Sequence, residues 1–108
     1  MVQSAKYQDL DPRTVRALVE TGRAVLIDVR ERHEYDAEHI EGAQLFPLSG
    51  FDPNALPCVD GVELILQCGS GKRSATAMDQ CRVAGIVCRG HLAGGIMAWK
   101  AAGLPTRR

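Results

Sequence analysis

Apolar residues fall along this chain in short blocks, separated by polar stretches that carry most of its Gly and Pro. Val15, Leu18 and Val19 recur at helical spacing behind Asp11-Pro12. An Asp can cap the free N–H groups of a helix and a Pro is preset for its first position, so a docking helix is predicted there, with Gly22 as its stop. Asp9 is the alternative cap. Ala24-Val25-Leu26-Ile27 is a continuous apolar run, the pattern of a parallel strand covered on both faces. The strongly polar residues 31–39 predict a short helix or turn, and residues 43–46 a weaker strand closed by Pro47. Residues 47–61, with Pro47, Gly50, Pro53, Pro57 and Gly61, read as an irregular surface loop.

A second long apolar run, residues 62–67, predicts a buried strand. Residues 75–84 contain neither Gly nor Pro and predict a helix with Ala77, Met78 and Cys81 facing inward and Gly85 at its end. Ile86-Val87-Cys88 reads as a last short strand, and residues 96–102 as a closing helix ended by Gly103 and Pro105. Strands alternating with helices predict an α/β fold, a parallel sheet wrapped on both sides. At 108 residues the chain makes one domain, 1–108, with its core at about residues 10–105.

Composition narrows the function more than the fold. With 13 basic and 13 acidic residues the formal net charge is zero, so no global field draws the chain to nucleic acid or an anionic membrane. Any affinity for anions must be local. Residues 1–10 are polar and unlike a signal peptide, and no apolar run approaches the ~18 residues of a membrane span. Cys58, Cys68, Cys81 and Cys88 form no Cys-x-x-Cys pair, so reduced thiols and a cytoplasmic address are expected. His33, His39 and His91 lack metal-ligand spacing.

The local chemistry is concentrated in Cys68-Gly69-Ser70-Gly71-Lys72-Arg73-Ser74, at a strand-to-helix switch. Such a switch at the carboxyl end of a strand is where α/β sheets place their ligands. Glycines let backbone N–H groups turn inward toward an anion or a thiolate. Lys72, Arg73 and those amides would lower the Cys68 pKa, since helix N-termini and cations both do so. Cys81 and Cys88 read as core thiols. Cys58, in the Pro-rich loop, reads as an exposed bystander. Asp28, at the end of a strand, is expected to hold the adjoining turn through backbone amides, and Trp99 to anchor the core.

Three blocks, in order, resemble the rhodanese (thiosulfate sulfurtransferase) superfamily. Asp28-Val29-Arg30-Glu31, Glu34-Tyr35, His39-Ile40 and Gly42-Ala43 resemble its first signature. Cys68, Gly71, Arg73 and Ser74 resemble its active-site loop. Leu92, Gly94-Gly95-Ile96, Ala98-Trp99 and residues 102–105 resemble its C-terminal signature. The resemblance implies a three-layer domain with a central five-stranded parallel sheet. It implies a catalytic Cys68 that takes a sulfane sulfur from a small anionic donor such as thiosulfate, held by Gly69, Ser70, Gly71, Lys72, Arg73 and Ser74. The persulfide would pass its sulfur to a thiol, a protein thiol or cyanide. His39 would be structural, and no metal or organic cofactor would be needed.

Two positions depart from the family pattern. Glu38 stands where the family commonly has Gly, which would strain the turn if that position needs a positive φ. Gly69 stands where several members carry a donor-binding side chain, which leaves the donor open. Two other readings compete. Some cysteine phosphatases share this fold and a Cys-loop-Arg design, but their loops place Arg six positions after Cys, and here that position is Ser74; an arsenate reductase-type activity, also known on rhodanese-like folds, stays open beside it. A non-catalytic binding module is the other, although such modules often lose the cysteine. A membrane enters only if the chain is a piece of a longer, anchored protein.

Overall fold

In the computed structural model, which describes residues 8–108, five parallel strands are flanked by helices on both faces. The strands are β1 (Gln8–Leu10), β2 (Ala24–Asp28), β3 (Gln44–Leu45), β4 (Glu63–Gln67) and β5 (Gly90–Leu92). They lie in the order β1-β5-β4-β2-β3, every neighbouring pair parallel. The helices are α1 (Pro12–Glu20), α2 (Arg32–Ala37), α3 (Lys72–Val83) and α4 (Gly95–Ala101). This is the α/β architecture that the alternation of blocks predicts.

The two apolar runs form the interior of the sheet because both of their faces must be covered. Along β2, Leu26 points into a core with Val15, Ile40, Ile65, Ile96 and Trp99, with Leu18 and Val19 of α1 packed against it. Ile27, the next residue, points to the opposite core with Leu64, Leu66, Ala77, Met78 and Cys81, roofed by the loop residues Leu48, Phe51 and Leu56. α1 and α4 therefore cover one face, and α3 the other. Asp11, not Asp9, caps α1, its carboxylate accepting the Thr14 amide at 3.0 Å. Trp99 is buried and its indole N–H donates to the Pro105 carbonyl at 2.8 Å, which ties the C-terminal segment to the core.

Three elements differ from the sequence reading. The last strand is Gly90–Leu92, not residues 86–88. The Ile86 amide bonds back to the Cys81 carbonyl at 2.8 Å, so this apolar run finishes the α3 helix end, and Val87 is 88% exposed. Cys88 accordingly sits half-buried in a connection, not in a strand. β1 was not anticipated, because only Leu10 of its three residues is buried and it pairs on one side alone. α3 begins at Lys72, three residues before the predicted start, which places Lys72, Arg73 and Ser74 in its first turn. The 47–61 loop is irregular as expected, with two short 3-10 turns, Leu48–Gly50 and Pro53–Ala55. Among the described residues no helix is long and apolar enough to cross a membrane.

Candidate active site

The carboxyl ends of β2, β4 and β5 bring the distinctive polar residues together. At the end of β2, Asp28 is fully buried and does more than hold a turn amide. Its carboxylate accepts the Arg30 amide at 2.9 Å and the Arg30 guanidinium, with Nη2 at 2.9 Å. The same Nη2 donates to the Glu38 carbonyl at 2.7 Å. Removing a charged pair from water is favourable only when further hydrogen bonds support it, and here the Arg30 amide and the Glu38 carbonyl supply two from the backbone. Glu38 has φ −168, extended backbone, so the turn carries no left-handed residue there and Glu in place of Gly is unstrained. His39 is structural as expected: its Nδ1 lies 2.8 Å from the Tyr35 carbonyl and its ring stacks on Tyr35.

Cys68 directly follows β4 and is 1% exposed. The loop behind it curls because Gly71 takes φ +113, a backbone shape that L side chains rarely adopt. That turn aims the Gly71 amide at the Cys68 sulfur, 3.0 Å away. Gly71 is also the N-cap of α3 and offers no side-chain cap, so amides of the first turn stay available for an anion. Ser74 Oγ lies 3.6 Å from Sγ. Burial pushes the Cys68 thiol up, but the Ser74 amide and hydroxyl and the amides of Gly71 and Ser70 outweigh it, and the thiol rests below its ordinary value. Amides and a hydroxyl, more than Lys72 and Arg73, account for that lowering.

α4 supports the loop from the other side. The Cys68 carbonyl accepts the Ile96 amide at 2.9 Å and the Gly69 carbonyl accepts the Met97 amide at 3.2 Å. With its carbonyls bonded to α4, the loop keeps its N–H groups turned to the sulfur. Such close approach requires Gly95: a Cβ there would lie 2.2 Å from the Cys68 oxygen.

The cations behave differently from one another. Lys72 is exposed, whereas Arg73 forms a two-pronged pair with Glu34 of α2, Nη1–Oε1 2.7 Å and Nη2–Oε2 3.0 Å. A Cβ on Gly69 would come within 3.3 Å of Arg73 Nη2, so the missing side chain at 69 leaves room for this guanidinium. Arg73's charge is thus largely matched before any ligand arrives.

The pairing should be visible as a pH effect. The Arg73 hydrogen bonds, helped by the Glu31 amide, hold the Glu34 carboxyl at about 2, below its ordinary 4.5. A depressed carboxyl contributes stability above its unfolded value and loses it as the pH falls toward the folded one. The melting temperature of the wild type should therefore exceed that of Glu34→Gln at neutral pH, and the gap should close between pH 4.5 and about 2. Other depressed carboxyls, such as Glu38, are common to both proteins and cancel. Parallel melting curves through that window would show that the bridge contributes nothing.

Sequence reasoning missed Glu34, Asp9 and His91 as site neighbours. His91, on β5, is buried; its Nδ1 is 2.7 Å from Ser74 Oγ and its Nε2 2.7 Å from Asp9 Oδ1. Its position one residue from the carboxyl end of β5, three residues before Gly94-Gly95, is the signal that would have found it. The other thiols lie elsewhere. Cys58 is exposed and Cys81 buried, and the Cys88 thiol is pushed up by its hydrogen bond to Cys81 and by burial. A thiol held up in this way is a poor nucleophile at neutral pH.

Known proteins resemble this chain in sequence and in fold. The chain is 44% identical over 95 residues to the uncharacterized protein slr1261 of Synechocystis, covering 88% of this chain and 53% of that one. It is 41% identical over 102 residues to the probable adenylyltransferase/sulfurtransferase MoeZ of Mycobacterium tuberculosis, covering 90% of this chain and 26% of that one. It therefore spans about half and about a quarter of the length of these relatives. A rhodanese-related protein from Thermoplasma volcanium has the same fold, with a TM-score of 0.81 at 23% identity over 94% of this chain and 98% of that one. The profile of the rhodanese-like domain matches residues 11–102, the span that holds the Cys68 loop and all of the two cores but Leu10 and Leu104, and the chain belongs to that family.

Proposed function

We propose that this domain is a sulfurtransferase that carries a sulfane sulfur on Cys68. The observation that supports it most directly is the cradle around Sγ: the Gly71 amide at 3.0 Å, the Ser74 hydroxyl at 3.6 Å and the first turn of α3. In the first half-reaction the Cys68 thiolate attacks the outer sulfur of a donor such as thiosulfate. A new S–S bond forms, the old one breaks, and sulfite leaves with its electron pair. The terminal sulfur of the resulting persulfide is an anion, and the amides that lower the thiol would stabilise it in the same way. In the second half-reaction a thiol, a protein thiol or cyanide attacks that terminal sulfur and Cys68 leaves as thiolate.

The remaining loop positions, Gly69, Ser70, Gly71, Lys72, Arg73 and Ser74, form the donor site in this reading. Lys72 supplies the exposed charge, and Arg73, matched by Glu34, shapes the rim. Small anions are favoured over phosphate esters, because Arg73 stands five positions after Cys68 and is already paired. The reaction needs a free thiol, which fits a reducing cytoplasm. Membership of the family and the naming of a relative as a probable sulfurtransferase agree with this reading.

Intact mass spectrometry tests it. The protein mixed with thiosulfate should gain the mass of one sulfur and lose it again on addition of cyanide or a thiol. A protein unmodified by thiosulfate and by other sulfane donors would overturn the proposal.

A further inference from the structure

A chain of hydrogen bonds leads away from the buried sulfur. Ser74 Oγ is 3.6 Å from Cys68 Sγ and 2.7 Å from His91 Nδ1, and His91 Nε2 is 2.7 Å from Asp9 Oδ1. Each link comes from a different element: Cys68 from the end of β4, Ser74 from α3, His91 from β5 and Asp9 from β1. The two inner members are buried, Ser74 fully and His91 to 7% exposure. Their direction follows from elementary donor rules. A carboxylate only accepts, so Nε2 must carry a proton toward Asp9. In the neutral ring Nδ1 is then an acceptor, and the one hydrogen of Ser74 points to it rather than to the Gly71 carbonyl at 3.1 Å. The oxygen of Ser74 is left to accept from the Cys68 thiol.

We propose that Cys68 gives up its proton along this chain, through the Ser74 hydroxyl to Nδ1 of His91, with Asp9 holding the imidazole in the receiving tautomer. The S–H bond breaks and an N–H bond forms on Nδ1. Ser74 gives one proton and takes one, and the sulfur keeps its electron pair. Afterwards every bond is reversed as a unit. Nδ1 donates to Ser74, Ser74 donates to the thiolate beside the Gly71 amide, and the imidazolium faces the Asp9 carboxylate. His91 does not touch the reacting atom; it is a positioning residue that holds the proton while Cys68 is a nucleophile. It can return that proton when a thiol acceptor closes the cycle.

The inference rests on the sulfurtransferase reading for its purpose, but not for its test. Among the described residues, the charged groups beside the chain include Asp9 from β1, with Lys72 and Arg73 in the same first turn of α3 as Ser74 and Glu34 from α2 on Arg73. Asp28 and Arg30 lie at the end of β2, paired with each other. All of these remain in the variants Ser74→Ala and His91→Gln. The Cys68 thiolate is read by its ultraviolet absorbance against pH, as a difference from Cys68→Ser, with no sulfur donor present. Both variants should show the midpoint displaced to higher pH. Sulfur uptake or small-reagent alkylation of Cys68 should fall roughly ten- to hundredfold at neutral pH and recover in alkali, where the thiol ionises unaided. A purely structural role would lower the rate at every pH and leave the midpoint in place. An unmoved midpoint in folded His91→Gln would overturn the inference.

A second measurement avoids altering His91. Coupled groups report on each other, so nitrogen-15 spectra of His91 should show its protonation displaced to lower pH in Cys68→Ser than in the wild type. Identical titrations would overturn the relay. A displaced midpoint in a protein that accepts no sulfane sulfur would leave the relay standing and remove the sulfurtransferase reading. Persulfide formation with an unmoved midpoint would do the reverse.

Discussion

Replacing Cys68 by serine should abolish sulfur uptake, by about ten thousandfold or more, as expected when a covalent nucleophile is removed. An alcohol in the same cradle keeps its proton at neutral pH and forms no persulfide. The cradle itself should survive, because the loop is held by its carbonyls on α4 and by Gly71, none of which needs the sulfur. The loss of stability should stay below about 2 kcal/mol, within the usual range for one buried substitution. The paired measurement is the intact mass after thiosulfate and the denaturant midpoint of the same sample. If Cys68→Ser still gained one sulfur, the carrier would be another thiol, and exposed Cys58 would be the first to examine. That result would also detach the α3 N-terminus from the chemistry.

What the sequence revealed and what it hid divide along sequence separation. Contiguous signals were legible: the runs that became β2 and β4, the Asp11-Pro12 start of α1, and the Gly71 turn inside the Cys68 loop. Strand β5 was misread because hydrophobicity marks burial, and residues 86–88 looked buried. In the folded chain Val87 faces solvent, while Gly90–Leu92 gains strand geometry from backbone pairing to β4 and β1. The first turn of α3 is polar, so it has no apolar stripe to announce it. The charge around Cys68 was legible as composition and not as partnership. Arg73 lies 39 positions from Glu34, Ser74 lies 17 from His91, and His91 lies 82 from Asp9. Only the sheet order, which puts β5 between β1 and β4, brings Asp9 and His91 beside the loop. The Cys68 loop was therefore readable as a candidate site from its neighbours in sequence, while the hydrogen bonds from Ser74 to His91 and on to Asp9 were not.

Gly95→Ala should damage both stability and chemistry from a position 27 residues beyond the sulfur. Gly95 opens α4 at φ +60, which costs an L side chain about 1–2 kcal/mol on its own. The added Cβ would lie 2.2 Å from the Cys68 oxygen and 2.7 Å from the Gly69 carbonyl carbon and oxygen. These are backbone atoms, so no rotamer change relieves the contact; either α4 or the loop must move. Forced backbone shifts of this kind cost about 1–3 kcal/mol more, giving an expected loss of roughly 2–5 kcal/mol in urea denaturation. The movement weakens the Ile96 and Met97 hydrogen bonds that keep the loop amides turned to Sγ. A displacement of about 1 Å at a reacting group can slow a reaction by about a hundredfold, and sulfur uptake should fall by that order. Gly50→Ala is the matched control. Nothing lies within 4 Å of its Cβ position and its φ is not positive, so it should stay within about 0.5 kcal/mol of wild type with normal uptake. If Gly95→Ala were as mild as Gly50→Ala, α4 would not be what holds the Cys68 loop in shape.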